Sequence, residues 1–228
     1  MTSPIILALD TNDLTTAKSW VKATRESIDI YKVGLEFFLK FGRTGLTEIK
    51  AESNAEIFLD LKLHDIPNTV GAATAQVSNL KPKFLTVHAS GGSAMIKAAV
   101  DNAPNTEITA VTILTSLSHD DMNQIGFEGT PQSRAEALAK LAVNAGAKAI
   151  VCSPLEIEGI RNAVADSISI ITPGIRPKEN SISDDQKRVM DPKSAINAGA
   201  NYLVIGRPIT GAADIRTAAK KIYEEAIG

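Results

Sequence analysis

Apolar and polar positions follow two rhythms along this chain. Short runs dense in Ile, Val and Leu recur at 5–10 (IILALD), 28–34 (IDIYKVG), 56–62 (EIFLDLK), 84–88 (FLTVH), 108–114 (ITAVTIL), 149–152, 168–172 and 202–205. Such runs suit strands covered on both faces. Between them lie segments with helical spacing: 15–24, 46–51, the alanine-rich 69–80, 93–102, 131–145, a short one near 154–165, and 193–198. A closing amphipathic helix is expected over 210–227, with Ala213, Ile215, Ala219, Ile222, Tyr223 and Ala226 supplying much of its apolar side.

Eight strands alternating with helices predict an α/β protein of the (β/α)8 TIM-barrel class, with residues 1–228 forming one catalytic domain. A doubly wound sheet is the alternative. Against it stands the lack of any GxGxxG or GxxxxGK[ST] after an early strand. The segments NAGAKAIVCSP and NAGANYLVIGRP also echo each other as helix end, turn, strand and proline, as a repeated βα unit would.

Bulk chemistry narrows the function. A net charge of -2 and a pI near 6.0 leave no polycationic surface for nucleic acid. Hydrophobic residues make up 44% and charged residues 22%, which is not a disordered composition. The one cysteine, Cys152, lies in an apolar run and reads as a buried inert thiol; no disulfide can form within the chain, which fits a reducing compartment. With no basic-apolar leader and no apolar run long enough to span a bilayer, a cytoplasmic protein without membrane contact is expected.

The chain's chemistry centres on residues 57–70, IFLDLKLHDIPNTV. In a strand, Phe58, Asp60 and Lys62 share one face while Leu59, Leu61 and Leu63 point the other way. Charges on a packed face must be paired, solvated in a cleft or used. Taken alone the stretch could be a structural ion pair. In a barrel, however, strand ends converge on one mouth, and Asp10, Lys32, Asp60, Lys62 and His88 all stand at or near such ends. A lysine held between carboxylates is favoured as the ammonium and is built to donate a proton rather than to act as an amine nucleophile.

A phosphate site is expected where the last two strands end. GRPITG, with Gly206 and Arg207, follows the eighth, and TPGIR, with Pro173 and Arg176, follows the seventh. Residues 174–191 are long and almost wholly polar, suiting a lid from which Gln186 could reach a phosphate. The TSLSH segment, beginning at Thr115, places hydroxyls at the barrel mouth, where they could read a heterocycle edge; His119 reads as a surface loop residue and His64 as a weaker catalyst than its neighbours. Asp60, Asp65, His64 and His88 have the chemistry of metal ligands, but Lys62 already supplies the compensating charge, so no metal is expected.

With these residues assembled, the sequence resembles the orotidine 5'-phosphate decarboxylases along its whole length. The shared signatures are LALD at 7–10, YKVGLE at 31–36, FLDLKLHDIPNTV at 58–70, TVHASGG at 86–92, TILTSL at 112–117, TPGIRP at 172–177, DDQKR at 184–188 and VIGRPIT at 204–210. The DDQKR and VTILTSL segments look like the bacterial branch. The resemblance implies a homodimer with shared active sites that converts the nucleotide orotidine 5'-monophosphate to uridine 5'-monophosphate and CO2 without a cofactor. By the same resemblance Asp10 and Lys32 bind the ribose, Lys32 also pairs with Asp60, and Asp60 lies against the departing carboxylate. Lys62 protonates C6, and Asp65 and Thr69 reach into the partner's site. Thr115 contacts the pyrimidine, Pro173 lines the ring pocket, and Gln186, Arg207, the N–H of Gly206 and Arg176 serve the phosphate. A sugar-phosphate decarboxylase or synthase using the same DxKxxD core with Mg²⁺ is the alternative enzyme, and a non-enzymatic phosphate binder the alternative class.

Overall fold

The strand rhythm closes into a ring. In the computed structural model, which describes residues 3–177 and 190–228, eight parallel strands pair in chain order as a closed barrel. They are β1 (Ile5–Ala8), β2 (Ile30–Gly34), β3 (Glu56–Leu63), β4 (Phe84–His88), β5 (Glu107–Val111), β6 (Ala149–Val151), β7 (Ser169–Thr172) and β8 (Tyr202–Ile205). Closure comes from β8 lying beside β1, with Ile6 opposite Val204. The helices are α1 (Leu14–Thr24), α2 (Leu35–Glu52), α3 (Pro67–Ser78), α4 (Gly92–Asp101), α5 (His119–Gln124), α6 (Pro131–Asn144), α7 (Ile157–Ala163), α8 (Pro192–Asn197), α9 (Arg207–Thr210) and α10 (Ile215–Ile227).

Period-two alternation sorts the apolar residues into two cores. Ile6, Ala8, Ile30, Phe58, Phe84, Ala149, Ile171 and Val204 fill the barrel interior, whereas Ile5, Leu7, Leu9, Leu59 and Leu61 point outward into the layer beneath the helices. Phe58 and Phe84 meet edge to face, with ring centres 5.7 Å apart, and floor the site above them. Burying such a side chain contributes roughly 1.5–3 kcal/mol, so the floor is well anchored. Helix starts are fixed by side chains: Asp13, Ser118, Thr130, Asp191 and Asp214 each accept a backbone N–H from the first turn of the helix they cap.

Several boundaries differ from the sequence reading. The first strand stops at Ala8, so Asp10 lies just past the ladder, and the fifth stops at Val111 rather than at 114. Helix α2 begins at Leu35, well before the expected 46–51. Its first half is hidden in the sequence because Leu35 and Leu39 face outward, 49% and 80% exposed, which breaks the amphipathic pattern, and Gly42 at φ 54° interrupts the helix. The long connection after β5 carries α5, nucleated by a Ser118 and Asp121 capping box. The final helix is two, because Gly211 ends α9 and Asp214 caps α10.

Candidate active site

Strand β3 builds the site by leaving the regular ladder. Leu59 lies opposite Leu85 and Leu63 opposite Val87, so Asp60, Leu61 and Lys62 face only Thr86 of β4. This bulge puts Lys62 at φ 49°, in the left-handed region that non-glycine residues avoid at a cost of about 1–3 kcal/mol. Its N–H donates instead to Thr86 Oγ1 at 2.8 Å.

The turn of the chain there brings four charges into a line. Lys62 Nζ lies 2.8 Å from both Asp60 oxygens. Lys32, projecting inward two positions beyond Ile30, donates to Asp10 Oδ1 at 2.9 Å and stands 3.8 Å from Asp60 Oδ2. Thr86 Oγ1 donates to Asp60 Oδ1 at 3.0 Å. The Asp60 side chain is only 12% exposed, where an unpaired carboxylate would cost several kcal/mol. Burial pushes its carboxyl up, but the Lys32 and Lys62 ammoniums and the Lys62 and Thr86 hydrogen bonds outweigh that and hold it below the ordinary carboxylate value.

Above the aromatic floor opens a cavity of about 490 Å³. Asp10, Lys32, Asp60 and Lys62 line one part of it, Thr115 another, and Pro173, Gly174, Arg176, Gly206 and Arg207 the part reached by the last two strands. Gly174 adopts φ 77°, a left-handed turn that only glycine takes freely. One Arg176 N–H donates to the Ile175 carbonyl at 2.9 Å, tying its guanidinium to the same turn. Cys152 is buried beside the cavity and burial pushes its thiol up, in keeping with an inert residue.

Not every expected residue gathers there. Asp65, on the turn into α3, and Thr69, in its first turn, are both exposed, and Asp65 Oδ1 accepts the Ile66 N–H at 2.6 Å. Among the described residues Lys62 has one carboxylate neighbour, Asp60, whereas Lys32 stands between two, Asp10 and Asp60. Gln186 and the rest of the expected lid at 178–189 lie outside the described residues. His88 lies beside His64, the rings tilted and their centres 5.4 Å apart, and burial, His64 and Lys62 together hold its imidazole below the ordinary value. His119 is exposed at the start of α5. Among the described residues no three His, Cys, Asp or Glu side chains gather as a metal-binding group. No described helix is long and apolar enough to cross a membrane.

One participant escaped the sequence reading. Thr86 looks there like an ordinary β-branched strand residue, and nothing in its pattern shows that its hydroxyl would face the bulge.

Residues 3–222 match the family described as "Orotidine 5'-phosphate decarboxylase / HUMPS family". An orotidine 5'-phosphate decarboxylase from Thermobifida fusca is 46% identical over 225 residues, covering 99% of this chain and 96% of that protein. One from Gluconobacter oxydans is 44% identical over 229 residues, covering 97% of this chain and 96% of the relative. Among solved structures, the orotidine 5'-phosphate decarboxylase of Lactobacillus acidophilus superposes with a TM-score of 0.86 at 34% identity, covering 99% of this chain and 100% of the other. The one from Pyrococcus horikoshii gives 0.81 at 28% identity, covering 98% of this chain and 99% of the other. On sequence, fold and the order of its motifs, the chain belongs to the orotidine 5'-phosphate decarboxylase / HUMPS family.

Proposed function

We propose that this enzyme decarboxylates orotidine 5'-monophosphate to uridine 5'-monophosphate and CO2 in pyrimidine biosynthesis. The observation that carries the reading is the Lys62 ammonium, 2.8 Å from Asp60 on the wall of a nucleotide-sized cavity. When the bond from C6 to the carboxylate breaks, CO2 departs and the electron pair stays at C6 in an sp2 orbital, where no ring carbonyl is placed to delocalise it. Stabilisation must then be electrostatic, and a fixed ammonium supplies it before handing over a proton. Asp60 orients that ammonium, and Lys32 keeps Asp60 ionised from the other side.

The remaining roles follow the cavity's lining. Asp10 and Lys32 serve the ribose, Thr115 the pyrimidine edge and Pro173 the ring face. Gly206, Arg207 and Arg176, joined by Gln186, hold the phosphate, whose remote binding energy helps align the reacting end. Asp65 and Thr69 complete the site of a second subunit across a two-fold axis, so that Lys62 gains its second carboxylate in the dimer. Their exposure supports this, as does the outward-facing Ile66, 65% exposed between them, with Leu35 and Leu39 on α2. A nucleotide substrate and one buried thiol fit a cytoplasmic protein.

The test is to incubate protein dialysed against chelator with orotidine 5'-monophosphate and follow the loss of its ultraviolet absorbance. Turnover to uridine 5'-monophosphate at an undiminished rate is expected. Failure to turn over, with activity on an acyclic sugar phosphate once Mg²⁺ is restored, would favour the other branch of the family.

A further inference from the structure

Where β3 bulges, one hydroxyl replaces the missing ladder. Three residues of β3 face Thr86 alone, which leaves the Lys62 N–H without a carbonyl across the strand gap. Thr86 Oγ1 accepts that N–H at 2.8 Å and donates to Asp60 Oδ1 at 3.0 Å. The direction of both bonds is fixed, because an amide N–H can only donate and a carboxylate can only accept. Thr86 is fully buried, so its hydroxyl is shielded from solvent. A single side chain thus sets both the backbone from which Lys62 projects and the rotation of the carboxylate that the Lys62 ammonium straddles.

We propose that Thr86 is a positioning residue for decarboxylation, acting through Lys62 and Asp60 rather than by touching substrate. The inference rests on the reading of Lys62 as proton donor and adds a requirement to it. Valine has the same shape but neither donates nor accepts, so Thr86→Val leaves a buried N–H unpaired and frees the Asp60 carboxylate to turn. Misplacement of reacting groups by about an ångström costs on the order of a hundredfold in rate. The consequence should fall on the chemical step, because the groups lining the phosphate end of the cavity are untouched.

The experiment compares Thr86→Val, Thr86→Ser and Thr86→Ala with the wild type and with Lys62→Ala. It measures kcat and KM for orotidine 5'-monophosphate and inhibition by uridine 5'-monophosphate, with circular dichroism as a check on folding. Thr86→Val should lose about ten- to a hundredfold in kcat while KM and product inhibition stay within about threefold, and Thr86→Ser should restore most of the rate. If Thr86→Val does not fold, the Ser and Ala pair decides, since they differ by only the hydroxyl. Equal kcat in folded Ser and Ala variants, or a folded Val variant within about twofold of wild type, would overturn the proposal. An active Lys62→Ala would instead overturn the underlying reading; an inactive Lys62→Ala beside an unaffected Thr86→Val would remove the role of Thr86 alone.

Discussion

The Lys62 ammonium contacts both oxygens of Asp60 at 2.8 Å although one residue separates them, and Lys62 does so from a left-handed backbone at φ 49°. In a regular strand, side chains two apart run side by side. From that backbone the Lys62 ammonium closes over the carboxylate while the side chain still lines the cavity. The strain has a measurable signature. In most strand positions glycine is less stable than alanine by roughly 0.5–1 kcal/mol, but a left-handed residue costs alanine about 1–2 kcal/mol. Lys62→Gly should therefore be at least as stable as Lys62→Ala in urea unfolding, reversing the usual order. A clear advantage for alanine would mean that residue 62 does not hold this backbone.

Asp60 should make stability depend on pH on the acid side. Its carboxyl lies below the unfolded value of 3.8 because two ammoniums flank it. A lowered carboxyl contributes stability that is present above the unfolded value and is lost as pH falls through the folded one. Wild-type unfolding free energy should drop as pH is lowered through and below about 4, and Asp60→Asn should flatten that slope. Parallel slopes in the two proteins would show that Asp60 is not held ionised by its neighbours.

Removing Arg207 should weaken uridine 5'-monophosphate binding and slow decarboxylation, by a few kcal/mol in kcat/KM for the phosphorylated substrate. Orotidine without its phosphate should be nearly indifferent to Arg207→Ala. Equal losses on both substrates would make Arg207 a structural residue.

Much of the architecture was legible because apolar strands covered on both faces announce themselves. All eight strands fall within a few residues of their expected places, and the acidic and basic strand-end residues do meet at one mouth. The losses have physical causes. The outward Leu35 and Leu39 disguised the start of α2, since their exposure follows from tertiary surroundings rather than periodicity. The bulge at Lys62 and the reach of Thr86 depend on the register between β3 and β4, which a single strand's pattern does not encode. Asp65, expected to reach into a neighbouring subunit's site, lies past the bulge and is exposed in its own chain.

That outward position makes the shared site testable. Mixing inactive Lys62→Ala chains with inactive Asp65→Ala chains, under conditions where subunits exchange, should restore activity. Half of the sites in each heterodimer regain both residues, so statistical exchange should give about a quarter of the wild-type activity per total site. An inactive mixture from which tagged chains co-purify as heterodimers would place the action of Asp65 within its own subunit.

The most direct measurement is the single-turnover rate of Lys62→Ala on orotidine 5'-monophosphate, with circular dichroism confirming the fold and uridine 5'-monophosphate binding confirming the cavity. Charge stabilisation and positioned proton transfer are each worth at least about a hundredfold. The rate should therefore fall by well over a hundredfold while the protein stays folded and still binds product. A folded, product-binding Lys62→Ala that keeps more than about a hundredth of the wild-type rate would contradict the assignment of Lys62 as the group that stabilises and protonates C6.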